Sequence, residues 1–178
     1  MPVHQWPQAG QANAHSVRIV RRDTAMSMVQ ESIEVDVPLS TAYNQWTQFE
    51  DFPRFMEGVE QVTQVDERHN HWRTKVAGVT REFDTEIVDQ LPDHKIAWRT
   101  LGGEVQQMGV VTFEPLDGQR TQVRLAIDFE PDGAAEKAAD AMGMVDRRVK
   151  GDLKRFKTFI EERGVEEGGW RGRITPGS

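Results

Sequence analysis

The sequence predicts a single α+β domain in which a seven-stranded, curved antiparallel sheet wraps around one long C-terminal α-helix, with two short helices between the first and second strands. Three observations carry that expectation. From residue 29 to about residue 130, apolar side chains recur at every second position in runs bounded by turn residues. One interruption, LSTAYNQWTQFEDFPRFM, changes period and reads as helix. After Pro131-Asp132-Gly133 the spacing changes to steps of three or four and stays there.

The first strand is VQESIEVDV, with Val29, Ile33, Val35 and Val37 on one side and Glu34 and Asp36 on the other. Pro38 ends it. Ser40 is then placed to cap a helix carrying Ala42, Tyr43 and Trp46, and Pro53 suits the first turn of a second short helix. Val59, Val62 and Val65 begin a hairpin that turns at DERHN and returns through Trp72, Thr74 and Val76. Gly78 breaks the run, and TREFDTEIVDQ restarts it with Phe83, Thr85 and Ile87 on one face and Glu82, Asp84 and Glu86 on the other. LPDHK turns into IAWRT, where Ile96, Trp98 and Thr100 align. Two further strands, QQMGVVTFEP and TQVRLAIDFEP, flank the turn LDGQ. In the closing helix, Ala138, Met142, Val145, Val149, Leu153, Phe156 and Ile160 form the apolar stripe, and Gly164 is placed to stop it. Residues 1–27 and 164–178 have no period and are expected to be flexible extensions of a domain spanning 28–163.

Composition excludes several functions. A net charge of −7 repels phosphate backbones, so no general nucleic-acid binding is expected. Without cysteine there is no disulfide, thiolate metal site or thiol nucleophile. No apolar run reaches the ~18 residues of a transmembrane helix, and the N-terminal residues lack the basic start and apolar stretch of a secretory signal. The expected location is cytoplasmic.

A seven-stranded meander presents one continuous apolar face, and a single helix covers it only in part. Space is left near one end for side chains, for the two short helices or for a ligand. The start SIEVDVPLSTAYNQWTQFEDFPRFMEGVEQV, the middle EIVDQLPDHKIAWRTLGG, the strand pair GVVTFEPLDGQRTQVRLAIDFEP and the closing helix together resemble the START-like SRPBCC superfamily, in its polyketide cyclase/dehydrase and coenzyme Q-binding branch. The resemblance spans roughly residues 28 to 162 and rests on the order and spacing of all the pieces. It implies the helix-grip fold with sheet order 1-7-6-5-4-3-2, and ligands such as lipids, quinones, sterols, hormones and polyketides.

If the inner faces are as read, Trp72, Phe83, Trp98 and Met108 from the strands and Met142 and Val145 from the helix point into the space, with Phe55 and Met56 gating it. Arg81 shares the parity of Phe83 at a strand start, where it either reaches a ligand oxygen or stays solvated or paired with a carboxylate. Thr74, Thr85 and Thr100 add hydroxyls to the inner face. The pair His69 and His71 lies on one side of a strand but lacks a third ligand, so no metal is expected, and both read as turn residues beside Arg68 and Asn70. No nucleophile elbow, dinucleotide fingerprint or phosphate loop is present, so neither a catalytic residue nor a cofactor is assigned. Glu82, Asp84 and Glu86 face away from the cavity. The basic stretch with Arg147, Arg148, Lys150 and Lys154 suits either a solvated helix flank or peripheral contact with an anionic membrane.

The leading expectation is non-catalytic binding or transport of an apolar small molecule, lipid, quinone or polyketide-like. The first alternative is a polyketide aromatase/cyclase-type enzyme, and the second a ribosome- or protein-interaction module that uses the basic helix flank.

Overall fold

Alternation of apolar and polar residues is realised in one antiparallel sheet, whose strands are joined mostly by tight turns. The computed structural model describes residues 20–21, 27–76, 78–102, 106–130 and 135–177. The strands are β1 (Val20–Arg21), β2 (Ser27–Val35), β3 (Val59–Gln64), β4 (His69–Val76), β5 (Val79–Leu91), β6 (Lys95–Thr100), β7 (Gln107–Asp117) and β8 (Arg120–Phe129). Their order is β1-β2-β8-β7-β6-β5-β4-β3. From β2 onward this is the expected 1-7-6-5-4-3-2 arrangement, in which the first long strand pairs with the last. The extra strand β1 pairs Val20 with Met28 and Arg21 with Ser27, inside the segment expected to be a flexible extension. Two residues are too few to show a period.

Between β2 and β3 the chain forms α1 (Leu39–Trp46) and a 3-10 helix (Phe49–Arg54) that carry it across one end of the sheet. The helix α1 starts two residues earlier than expected. Pro38 in an extended conformation is its N-cap, with no side-chain cap, and Ser40 lies inside the helix. Pro53 falls in the body of the 3-10 helix rather than its first turn, and the pitch is about three residues per turn. That pitch puts Phe49, Phe52 and Phe55 on one side, and all three are buried.

The long helix α2 (Ala135–Arg163) lies against the sheet, where Met142, Val149, Leu153, Phe156 and Ile160 are buried with Val29, Val35, Val123 and Leu125. The side chain of Ala138 lies outside the described residues. Phe156 is fully buried among Trp46 and Phe55, at 4.9 and 5.2 Å between ring centroids. At the end of α2, Gly164 takes φ +72° and its N–H donates to the Ile160 carbonyl at 2.8 Å, the left-handed cap the sequence signals.

The expectation of a flexible tail after Gly164 needs correction. Ile174 is buried and bridges Gln90 of β5 through two backbone hydrogen bonds, of 2.8 and 3.0 Å. The Glu167 N–H donates to Gln45 Oε1 and the Trp170 N–H to Thr47 Oγ1. Arg171 reaches both Asn44 and Asp93, and its guanidinium lies 5.6 Å from the centre of the Tyr43 ring. The segment is held by single contacts at irregular spacing, so no period announces it. Truncation after Gly164 is expected to lower the unfolding free energy by about 3 kcal/mol or more, the sum of one buried isoleucine and several hydrogen bonds. Urea denaturation of both chains measures this, and an unchanged midpoint would count against the docked tail.

Candidate functional site

A helix-on-sheet contact closes well only where strands and helix run near each other, and here it leaves a cavity of about 470 Å³ between the inner face of β4 to β8, the 3-10 helix and α2. Most of the wall is apolar. Trp72 and Phe83 stack on neighbouring strands, with ring centroids 6.0 Å apart and planes within 7°. Trp98, Ile127 and Phe129 continue the sheet side, Phe49 and Phe52 close one end, and Val145 and Val149 face them from α2. The largely exposed Val79 and Met144 belong to the same lining, so the cavity opens to solvent.

Trp98 owes its position to a missing side chain. Its partner across β6 and β7 is Gly109, and a Cβ there would lie 2.2 Å from the Trp98 ring. The indole therefore occupies the space that a side chain at position 109 would fill.

Of the residues expected to line the site, Met56, Trp72, Arg81, Phe83, Trp98 and Val145 do so. Three do not. Phe55 is buried in the aromatic cluster with Phe52, Phe156 and Phe159 and gates nothing. Met142 is core under α2. Met108 alternates with the inward Gln107 and Gly109 and so falls on the other face of β7. Arg81 is exposed at the rim. Thr74, Thr85 and Thr100 all line the cavity.

Sequence reasoning missed several polar groups. Asn70, expected in an exposed turn, is 1% exposed on the inner face of β4. Gln107 joins it on β7 and Asp152 on α2. Asp152 accepts hydrogen bonds from the Glu57 N–H and the Arg155 guanidinium. Burial pushes its carboxyl up to about 6, while Arg155 pulls in the opposite direction. A second inner-face carboxylate, Glu31, shares the parity of Val29 and Ile33 but lies outside the cavity, where Lys150 Nζ is 3.5 Å from it and 3.3 Å from Asp146. Burial and Asp146 push Glu31 up to about 7. Asn70, Gln107 and Asp152 thus line the cavity although none was among the residues expected there, because a polar residue within an apolar pattern carries no signal of facing inward.

Asp152 gives a testable pH dependence. A carboxyl with a folded pKa near 6 and an ordinary value of 3.8 binds more protons folded than unfolded between those values. Its contribution to stability is therefore present at low pH and lost as pH rises through about 6. Asp152→Asn keeps an acceptor for Glu57 without the charge, so its stability relative to wild type is expected to improve from pH 4 to pH 7.5 by about 1–2 kcal/mol. Parallel pH profiles from urea denaturation would contradict this.

His69 and His71 each pair with a carboxylate. His69 bonds Asp66, while His71 bonds Asp84 at 2.7 Å, whose carboxylate raises the pKa of the imidazole. Glu82, Asp84 and Glu86 lie outside the cavity lining, and Glu86 pairs with Arg99 at 2.8 Å. No cluster of metal-binding type occurs among the described residues. Of the basic helix residues, Arg148 lines the cavity and Lys150 bridges Glu31 and Asp146. No helix among the described residues is long and apolar enough to cross a membrane.

Comparison with known proteins places this geometry. Residues 35–158 match the family model described as polyketide cyclase/dehydrase and lipid transport. An uncharacterized 17.2 kDa protein of Streptomyces lincolnensis is 59% identical over 149 residues, which cover 84% of this chain and 99% of that protein. Among solved structures, the Zhui aromatase/cyclase from Streptomyces sp. R1128 has a TM-score of 0.69 at 22% identity, over 82% of this chain and 99% of its own. A START superfamily protein from Mycobacterium smegmatis has a TM-score of 0.61 at 16% identity, over 76% of this chain and 95% of its own. At such identities the likeness shows the helix-grip fold.

Proposed function

The chain belongs to the polyketide cyclase/dehydrase and lipid transport family, and from that premise we propose that its cavity binds or transports an apolar small molecule, a lipid, quinone or polyketide-like compound, without converting it. The observation that carries this reading is the open cavity of about 470 Å³ with its wall of stacked aromatics and aliphatics. Burial of apolar ligand surface against such a wall supplies the driving force. The polar side chains most deeply buried in its lining, Asn70 and Thr85, are uncharged hydrogen-bonding groups, which orient a ligand but are poor acids and bases.

Titration with decylubiquinone, oleate and flat aromatics, followed through quenching of Trp72 and Trp98, tests the reading. Saturable binding of at least one class at micromolar concentration is expected. Failure of every class to bind would overturn it.

One observation favours a second reading, the aromatase/cyclase. Asp152, a buried carboxyl poised near 6, lines the same cavity as Arg81, and such a group exchanges protons near neutrality. Incubation with a short poly-β-ketone thioester separates the two. Recovery of unchanged thioester supports the carrier, whereas cyclisation that Asp152→Asn abolishes supports the enzyme. An interaction module or membrane contact built on Arg147, Arg148, Lys150 and Lys154 has less support, because Arg148 and Lys150 already serve the cavity wall and the helix–sheet contact.

A further inference from the structure

Strand register sets Asn70 opposite Thr85, and Thr85 opposite Thr100. Thr100 in turn bonds the backbone of Gln107 on β7, donating to its carbonyl at 3.2 Å and accepting from its N–H at 3.0 Å. All four side chains line the cavity. They form one polar row across four adjacent strands, about 14 Å from end to end at ~4.8 Å per strand. On one side of the row lie Trp72 and Phe83, on the other Ile87 and Trp98.

Two members of the row are engaged within the protein. The Thr85 hydroxyl accepts from Trp72 Nε1 at 2.8 Å, and Thr100 is tied to Gln107 as above. Asn70 differs. Its residue is 1% exposed, and its Oδ1 has no hydrogen-bond partner among the described residues. An orphaned amide oxygen in an apolar wall is costly unless something else bonds it. Rotation of the terminal amide presents either its oxygen or its NH₂ to the same spot, so it serves a ligand hydroxyl or a ligand carbonyl equally well.

Resting on the reading of the cavity as a ligand site, we infer that Asn70 is a specificity residue that selects apolar ring systems carrying a hydroxyl or carbonyl on one edge over rings of the same shape that carry none. The walls accept either ligand by area alone. Only the oxygenated one satisfies Asn70, and a buried polar group left unpaired by a ligand discriminates far more strongly than a mismatch of one methylene. In a wholly apolar pocket the order reverses, because a hydroxyl loses its water without compensation.

Equilibrium dialysis of the full chain and of Asn70→Leu against 9-phenanthrol and phenanthrene tests this. The wild type is expected to hold 9-phenanthrol about tenfold tighter than phenanthrene or better. Asn70→Leu is expected to bring the two within about twofold, by weakening 9-phenanthrol and by sparing phenanthrene the unpaired amide, and to melt no lower than wild type, since it removes an unpaired buried amide. Equal affinities in the wild type, or a preference that survives Asn70→Leu, would overturn the inference while leaving the cavity reading intact. A variant that melts well below wild type would assign Asn70 to the fold and overturn it too. Binding of neither probe to the wild type would take down the cavity reading, and the inference with it.

Discussion

Phe156→Ala is expected to lower the unfolding free energy by ~3–5 kcal/mol, the range for truncating a fully buried aromatic. The ring is the point where α2 meets both small helical elements. It is 0% exposed, packs edge-on to Trp46 of α1 and touches Phe55 just after the 3-10 helix. Its neighbours are themselves interlocked, Trp46 with Phe52 and Phe113, and Phe55 with Phe159. Collapse into the vacated space would have to move several rings at once, so the hole stays largely open and the cost falls at the upper end of the range. Domains are stable by about 5–15 kcal/mol, so the variant sits near the edge of folding. Chemical denaturation with a shared m-value measures the loss, and a cost below about 1 kcal/mol would show that α2 is not anchored there.

Val145→Trp is expected to have the opposite profile: ligand binding falls about a hundredfold while the melting temperature stays within roughly 4 °C of wild type. Val145 is half-buried on α2, where it packs against the edge of the core and also lines the void. In a closed core an added indole costs about 1–3 kcal/mol through forced rotamers and backbone shifts. In the cavity it displaces only the space a ligand would use. The paired readout separates a cavity from a core, because a void that does not exist cannot be filled without strain. Loss of stability together with binding would place Val145 in the core.

How far the sequence announces these features depends on the signal each leaves. The sheet was legible because alternation and turn residues agree strand after strand, as in Phe83, Thr85 and Ile87, or Val123, Leu125 and Ile127. Its register then follows, since a slip of one residue turns a strand inside out. The cavity was legible as a consequence of that order, one helix over seven long strands. Its lining was legible where large residues occupy inward positions, as with Trp72 and Trp98. Met108 misled because Gly109, which holds the inward position, has no side chain to show parity; Val111 and Phe113 carry the signal that corrects it. Phe55 misled because a helix of three residues per turn repeats Phe49, Phe52 and Phe55 on one side, which an α-helical spacing does not. Asn70, Glu31 and Asp152 are polar residues at apolar positions, and alternation alone gives no reason to keep a polar residue inside. The docked tail depends on contacts more than a hundred residues apart, such as Trp170 with Thr47, that leave no local pattern.

The central claim is that the fold leaves a fillable apolar space inside the sheet. Native mass spectrometry of protein purified without detergent, recorded for the wild type and for Val145→Trp, tests it most directly. The account predicts that the wild type carries one small apolar molecule, or takes one up from a mixture of quinones, fatty acids and flat aromatics, and that Val145→Trp, equally folded, carries none. A wild-type chain that stays at its bare mass throughout that mixture would contradict it.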